Sequence, residues 1–507
     1  MRFLRLSHCV RVFMSSLGAG RAAACRPQAG AGRAWARQIV RRRETIHLRA
    51  GQRRCAASAS SGRDRLVLGI ETSCDDTGAA VVNSRGEVLG EAIAHQYEIH
   101  SDWGGVVPAL AREAHAAAVR GVVDTALQQA GVSEDDLDAV AVTVGPGLSL
   151  CLKEGVLEAR RRVRRASRAI PLIDVHHMEA HALVARMERA VGEHGDAGGA
   201  RGGEAASGGA AARVDALDLP ERVQFPFLCL LVSGGHNLLL LTRGVGDHVV
   251  LGGTMDDALG EAYDKVARML GLGMVPSGGA VLEAVARGGD SKKYKFKPPL
   301  TKRPGADFSF SGLKTAVRMA IEREGGSFDT GRAETPGGAS LPDAVKADIA
   351  ASFQDVAVRH LVKRVGVGIQ WGLEEEPSCR HLVVAGGVAA NQVVRVALAE
   401  CAAGSGLELV CPPPRYCTDN GVMVAWAGME RLRLGLVEPG AAALPEEPSP
   451  GEDEWVDLRP RWPLGQRHPR ADEALSMRKV RSYKKTKQFT DLSTLTRQVS
   501  TQAGQAS

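Results

Sequence analysis

Short apolar runs that alternate with polar turns open each half of the chain. Residues 66–82 form an apolar run, a polar turn and a second apolar run, which predicts two strands joined by a turn. Residues 225–241 repeat this plan around a turn at 233–236. Apolar residues at helical spacing follow, as in 256–270. The repetition predicts an internal duplication into two α/β lobes with partly parallel sheets.

The composition between the periodic segments divides the chain further. Residues 191–221 are rich in Gly, Ala and scattered charge and cannot bury enough apolar area to fold, which predicts a disordered insertion. We therefore expect a first lobe at 66–190, closed by a helix from 421–440, and a second lobe at 222–420. Residues 442–507 begin Pro-rich and acidic and become basic and Ser/Thr-rich, which predicts an irregular tail.

The first 62 residues differ from the remainder in charge. They hold thirteen Arg, no Lys and one acid, Glu44, among many Ala and Ser residues. This composition is typical of an organelle transit peptide. The mitochondrion is the expected location and the plastid is the alternative. A basic arm that binds nucleic acid is the other interpretation.

The overall composition excludes several classes of protein. A chain of 507 residues is long enough for two or more lobes with their own cores. Its ten cysteines contain no C-x-x-C pair, which argues against a zinc ribbon or a disulfide framework and favours a reducing compartment. No apolar run approaches the roughly 18 residues of a membrane helix, so we expect a soluble protein with no membrane partner.

Two histidines, His177 and His181, stand four residues apart after a short apolar run. On a helix this spacing puts both imidazoles on one face, where they can share a metal ion. A zinc protease needs its glutamate directly after the first histidine, but Glu179 lies two positions on, which argues against that class. Two surface or N-cap histidines are the alternative interpretation. Asp419 is a third candidate ligand, although by itself it fits a helix N-cap better, since a helical run begins at Gly421.

Glycines cluster at the ends of predicted strands in both lobes. The clusters lie at 145–147, 233–235, 278–279 and 386–391. A strand followed by a Gly pair and a helix presents free backbone N–H groups and a helix N-terminus to a phosphate. One such cluster is a weak signal, but several together indicate a nucleotide held in a cleft between the lobes.

Nine motifs then identify a resemblance that covers residues 66–463 apart from two loops. In chain order they are GIETSCDDT, GGVVPALA, GPGL, HMEAH, LVSGGH, DDALGEAYDKVA, FSFSGLKT, VAGGVAAN and CTDNGVMVAW. Together they resemble the tRNA N6-adenosine threonylcarbamoyltransferase family, in its mitochondrial or plastid branch. The resemblance implies the family's duplicated actin-like, sugar-kinase-like fold, which agrees with the repeated pattern of strands and turns.

The resemblance also implies roles for individual positions. His177, His181 and Asp419 would bind one divalent metal ion per subunit, iron or zinc. Asp75 and Asp76 are the catalytic candidates, and Asp76 stands where the family commonly has Glu. The implied substrate contacts are Leu231, Val232, Ser233, Gly234, Gly235, Asp264, Gly279 and Asn391, the last three for the adenosine part. A longer segment before the Gly pair lets Gly278 take the place of Gly279.

The implied reaction joins two substrates. Threonylcarbamoyl-AMP, made by an upstream synthase, would donate its threonylcarbamoyl group to N6 of the adenosine at position 37 of tRNAs that read codons beginning with A. Relatives in the organellar branch imply a homodimer. An actin-like ATPase or a sugar kinase is the alternative function, because these proteins share the fold and the nucleotide loops.

A run of basic residues is a candidate contact for tRNA. Residues 160–168 hold six arginines in nine positions on a predicted helix, which can contact phosphates. A solvated helix face is the alternative interpretation. We expect the basic tail at 467–497 to be a weaker candidate, because it lies beyond the resemblance to the family.

Overall fold

The computed structural model describes residues 64–101, 105–187, 223–275, 277–328, 338, 340–437 and 457–476. The predictions for 1–62 and for 191–221 lie outside the described residues, as does the prediction for 477–507. Within the described ranges, every helix is too short or too polar to span a bilayer.

The first lobe is built around one mixed sheet. Its elements are β1 (Leu66–Glu71), β2 (Asp76–Asn83), β3 (Val88–His95), α1 (Tyr97–Ser101), α2 (Pro108–Ala130), β4 (Ala139–Gly145), α3 (Ser149–Arg165), β5 (Leu172–His176) and α4 (His177–Leu183). The strand order is β3-β2-β1-β4-β5. Strands β1 to β3 are antiparallel neighbours, whereas β4 runs parallel to β1 and β5 parallel to β4. Strand β4 is buried along its whole length, as its apolar sequence AVAVTVG requires.

The second lobe repeats this arrangement. Its elements are β6 (Phe227–Val232), β7 (Asn237–Gly244), β8 (Asp247–Gly253), α5 (Leu259–Met269), α6 (Gly278–Ala286), α7 (Ser311–Arg323), α8 (Asp343–Glu375), β9 (His381–Ala385), α9 (Gln392–Ala403) and β10 (Glu408–Val410). The order β10-β9-β6-β7-β8 matches β5-β4-β1-β2-β3 of the first sheet, strand for strand. The predicted duplication and the α/β fold class are therefore confirmed.

Helix α10 (Gly421–Arg433) returns the chain from the second lobe to the first. Its first ten residues are buried, and it packs on the first sheet. The packing depends on Gly69 in the middle of β1, because a Cβ there would lie 2.2 Å from the backbone N of Ala425. A larger residue at this position would push the helix away from the sheet.

The prediction of an irregular tail is wrong for residues 457–476. The amide of Arg459 donates to the carbonyl of Val144 at 2.8 Å, and the amide of Gly147 donates to the carbonyl of Pro460 at 3.2 Å, both in the first lobe. The chain then forms β11 (Gln466–Arg467), parallel to β8 in the second sheet, and α11 (Pro469–Ser476). The prediction rested on the Pro-rich and acidic composition of the whole tail. It took no account of three apolar side chains, Leu458, Trp462 and Leu464, that pack against core clusters.

Candidate metal site at the lobe junction

Helix α4 brings the two predicted histidines to the junction of the lobes. Its Ala180 and Leu183 pack in the core of the first lobe, whereas Met178 and Ala182 pack with β6 and β9 of the second. His177 is the first residue of this helix, so β5 directly precedes the first candidate ligand. The helix therefore lies between the lobes and presents its histidines there.

Three possible metal ligands meet at this point. The rings of His177 and His181 lie edge to face, with centroids 4.7 Å apart. Asp419 Oδ1 lies 3.1 Å from His181 Nε2 and 3.5 Å from His177 Nε2. Each of the three residues has a ligand atom within 4.8 Å of the other two. The sequence spacing could not link Asp419 to the histidines, but the fold brings them together.

The segment before α10 gives Asp419 its position. The N-cap of α10 is Asn420, whose side-chain oxygen accepts a hydrogen bond from the Met423 amide at 2.9 Å. The interpretation of Asp419 as a helix N-cap is therefore wrong. Because the next residue caps the helix, the Asp419 carboxylate is left to face the histidines.

Glu71 orients the first histidine, and the sequence analysis assigned it no role. This carboxylate ends the apolar strand β1 and is fully buried. It accepts hydrogen bonds from Thr143 Oγ1 at 2.7 Å and from the Ser73 amide at 2.5 Å, and its Oε2 lies 3.0 Å from His177 Nδ1. With Nδ1 held by Glu71, Nε2 of His177 faces Asp419. An acid at the end of an otherwise apolar strand was the signal that could have revealed it.

The carboxylates make this site strongly attractive to positive charge. Burial alone would lower the pKa of His177, but Asp419 and Glu71 outweigh it and raise the pKa to about 9. Burial would raise the pKa of Asp419, but His177 and His181 outweigh it and hold the pKa well below its usual range. A divalent cation would supply the same positive charge to these groups.

The donor set fits a divalent transition metal. Imidazole nitrogens with one carboxylate oxygen suit zinc or iron rather than calcium or magnesium, which prefer oxygen ligands alone. Nδ1 of His181 is buried and has no hydrogen-bond partner among the described residues. Three protein ligands leave coordination positions open for a substrate.

The predicted substrate turn lies between β6 and β7. The Ser233 amide donates to the His236 carbonyl at 2.8 Å, and the His236 amide donates to Ser233 Oγ at 3.1 Å. Gly234 and Gly235 have open space on their side-chain side. Leu231 and Val232 are buried in β6, so they lie beneath this turn rather than on its open face.

The three residues implied for adenosine already have local partners. Asp264 Oδ1 accepts a hydrogen bond from the Gly279 amide at 3.0 Å, which ties α5 to the start of α6. A Cβ on Gly278 would lie only 2.7 Å from this oxygen, so the start of α6 can come this close to Asp264 only with glycine at position 278. Asn391 caps α9 by accepting from the Val394 amide at 3.0 Å. These hydrogen bonds fix the positions of Asp264, Gly279 and Asn391.

The predicted catalytic carboxylates follow β1 on the first lobe. Asp75 lies in the turn between β1 and β2, and Asp76 begins β2. Asp76 Oδ1 lies 2.8 Å from His95 Nδ1. Burial raises the pKa of Asp76 to about 6, although His95 opposes the shift. Asp76 can therefore accept a proton near neutral pH more readily than an ordinary aspartate.

The arginine run at 160–168 begins on α3, which ends at Arg165 rather than covering the whole run as predicted, and it is largely involved in intramolecular contacts. Arg162 is 1% exposed and contacts Glu158, Glu134 and Asp124. Three of its neighbours also pair with acids: Arg161 with Glu158, Arg165 with Glu134, and Arg168 with Asp138. The prediction that the whole run contacts phosphates is wrong for Arg162, because a carboxylate of α3 and two from other segments enclose it.

Glu179, between the two histidines, joins the lobes instead of acting as a protease base. Its carboxylate is fully buried and accepts hydrogen bonds from the Gly246 amide at 2.6 Å and from Arg431 at 2.5 Å. It also pairs with His248 Nε2 at 2.9 Å. Burial would raise the pKa of Glu179, but His248 and Arg431 outweigh it and lower the pKa to about 2. Glu179 thus connects α4 with β8 and α10.

The fold and this site define a two-lobed α/β protein with a candidate metal site where the lobes meet. The model of the tRNA N6-adenosine threonylcarbamoyltransferase family matches residues 87–195 and 209–426. The chain belongs to this family of transferases, as its motifs predicted, and it carries three residues that could hold a metal ion. The predicted recognition and enzyme class are confirmed.

Two relatives support this assignment over most of their length. The chain is 46% identical over 417 residues to a probable mitochondrial tRNA N6-adenosine threonylcarbamoyltransferase of Arabidopsis thaliana, covering 82% of this chain and 78% of the relative. It is 41% identical to the enzyme of Paramagnetospirillum magneticum, covering 79% of this chain and 97% of the relative. Among solved structures it is similar to HypF of T. kodakarensis at 15% identity and a TM-score of 0.42, over 73% of this chain and 48% of that chain.

The contacts of Glu179 predict a large effect on stability. We expect Glu179→Ala to lower the free energy of unfolding by about 3 kcal/mol or more, because it leaves His248 and Arg431 without their buried partner. Denaturant unfolding measures the effect, and a double-mutant cycle with His248→Ala measures the coupling. The control is Glu91→Ala, whose exposed pair with Arg415 at 3.7 Å is worth at most about 1 kcal/mol. Equal losses for the two variants would contradict this prediction.

Proposed function

We propose that the protein transfers the threonylcarbamoyl group of threonylcarbamoyl-AMP to N6 of the adenosine at position 37 of tRNAs that read codons beginning with A. Family membership supports this reaction. The observation that carries it is the convergence of His177, His181 and Asp419, because an actin-like ATPase or a sugar kinase does not need such a set. That alternative function is not favoured.

One divalent metal ion, iron or zinc, is the proposed cofactor. His177, His181 and Asp419 would hold it, and Glu71 acts as a positioning residue for His177. When bound, such an ion stabilises negative charge that develops on carbonyl or phosphate oxygens. The surrounding burial strengthens every electrostatic interaction at this point.

The second lobe would bind the donor substrate. The amides of Gly234 and Gly235 lie on an open turn that can receive a phosphate, with Ser233 beside them and with Leu231 and Val232 in the buried strand that supports the turn. Asp264, Gly279 and Asn391 would contact the adenosine part. Local hydrogen bonds hold the Asp264 carboxylate at the start of α6 and the Asn391 side chain at the start of α9. Binding both ends of the donor would orient its reactive carbon.

The transfer step exchanges one bond at the carbamoyl carbon. The N6 amine of adenosine attacks this carbon, the bond to the phosphate oxygen breaks, AMP leaves and the amine loses one proton. Asp76 is the proposed proton acceptor because its pKa of about 6 suits that role, with Asp75 beside it. Backbone N–H groups of the substrate turn would stabilise the charge on the leaving phosphate.

The proposed partners follow from the substrates. The chain needs tRNA and an upstream synthase that makes the reactive threonylcarbamoyl-AMP. Resemblance to the organellar branch supports a homodimer. A molar mass of one chain by light scattering would contradict it.

We further propose that the protein works in mitochondria. The support is the Arg-rich and acid-poor composition of residues 1–62 together with the relative named as mitochondrial in Arabidopsis thaliana. A plastid remains the alternative address for this composition.

The activity has a direct test. Purified protein with threonylcarbamoyl-AMP should release AMP and form threonylcarbamoyladenosine only when unmodified substrate tRNA is added. The control is the same tRNA with guanosine at position 37, which lacks the N6 amine. Hydrolysis of ATP without tRNA, with no modified nucleoside found by mass spectrometry, would favour the kinase class instead.

The metal site predicts a graded series of variants. His177→Ala, His181→Ala and Asp419→Ala should each lose bound metal and activity while remaining folded, because each removes one of three ligands. Glu71→Ala should weaken metal affinity about 10- to 100-fold, and Glu71→Gln should restore part of it, since it still reaches Nδ1. The control is His381→Ala on β9, away from the site. Full metal content in any of the three ligand variants would exclude that residue as a ligand.

The leader predicts import into an organelle. A fluorescent protein that carries residues 1–62 should enter mitochondria, because this segment has the charge pattern of a transit peptide. The control carries the same segment with its arginines changed to glutamine. Diffuse cytosolic signal from the unchanged fusion would refute the targeting role.

A further inference from the structure

A second basic segment lies on the second lobe, between α6 and α7. Residues 291–306, called the basic loop below, contain no Asp or Glu. Their six cations are Lys292, Lys293, Lys295, Lys297, Lys302 and Arg303, and all six are exposed. The number of cations equals that of the arginine run at 160–168, but here they are spread over sixteen residues and their surroundings differ.

Neighbouring residues hold the backbone of the basic loop in place. The rings of Tyr294 and Phe296 stack at 6.0 Å and pack against the core of the second lobe. The Tyr294 amide donates to Ser352 Oγ on α8 at 3.2 Å, and its hydroxyl donates to Glu324 at 2.9 Å. Aromatic side chains therefore face inwards while the lysines that alternate with them face water.

Arg364 of α8 holds the other half of the loop. Its guanidinium is 2% exposed and donates to the carbonyls of Arg303 at 3.1 Å and Gly305 at 2.7 Å, and to that of Leu300. A buried cation that binds backbone oxygens fixes the path of the chain without neutralising the lysines. The exposed charges thus stand on an ordered support.

Five cations of this loop are available for an external anion. Lys293, Lys295, Lys297, Lys302 and Arg303 have no carboxylate within ion-pair distance among the residues that the structure describes. The arginine run at 160–168 differs, because four of its six arginines already pair with Glu158, Glu134 or Asp138.

The loop leads to the edge of the sheet that carries the substrate turn. After the loop, the Phe308 amide donates to the Gly253 carbonyl at 3.0 Å, at the end of β8. Gly253 is opposite Leu238 at the start of β7, and the substrate turn lies between β6 and β7. A long polyanion bound along the loop can therefore reach the site.

We propose that the basic loop contacts phosphates of the tRNA substrate; this inference rests on the proposed function. Exposed cations on a fixed backbone provide the sequence-independent part of RNA binding and position the nucleotide to be modified. An anionic membrane fits less well, because the apolar side chains of the loop face the protein and cannot enter a bilayer.

The test compares two triple variants of the full chain. Lys293→Gln/Lys295→Gln/Lys297→Gln removes three charges from the loop, and Arg161→Gln/Arg165→Gln/Arg168→Gln, called the α3 triple, removes three paired charges from the arginine run. Binding of unmodified tRNA is measured over a salt series. We expect the loop triple to reduce the slope of log affinity against log salt by about 2 to 3, since each phosphate contact contributes about 0.7 to 0.9. The α3 triple should leave the slope unchanged.

Further measurements separate the possible outcomes. Threonylcarbamoyl-AMP binding and the melting temperature should be unchanged in the loop triple, which would exclude a folding defect. An unchanged slope in the loop triple, or a reduced slope in the α3 triple alone, would overturn the proposal. Loss of binding to vesicles of anionic phospholipid, with tRNA binding intact, would also overturn it in favour of a membrane. Absence of tRNA modification by the unaltered protein would instead refute the proposed function.

Discussion

Two buried carboxylates hold the helix on which the candidate metal site depends. Helix α4 has seven residues and is too short to be stable alone. Glu71 of the first lobe contacts His177 at its start, and Glu179 ties the same first turn to β8 and α10. A buried carboxylate is very costly without partners, so each one strongly favours the single arrangement in which all its partners are present.

The sequence predicted features that depend on local pattern and on motifs. The hairpins at the start of each lobe and the spacing of His177 and His181 are local, and the structure has both. Features that depend on distant partners were missed. Glu71 has its role only because His177 lies beside β1, and Arg162 is buried only because Glu134 and Asp124 come from other segments.

The tail shows a second limit of reasoning from composition. Residues 457–476 have the Pro-rich and charged surroundings of an irregular segment, yet Trp462 packs beside His176 with ring centroids 4.7 Å apart. Composition averages over many positions, whereas packing needs only a few apolar side chains at the right places. For the same reason, the glycine clusters predicted phosphate-binding turns but could not show that Asp264 and Asn391 already form local hydrogen bonds.

The path of this tail also limits how far the lobes can move. Pro460 is bonded to Gly147 in the first lobe, and Gln466 begins the strand that pairs with β8 in the second. Six residues of fully extended chain span at most about 20 Å. The segment therefore sets a maximum distance between these two attachment points, and separating them further would have to detach β11, whose pairing with β8 covers only two residues.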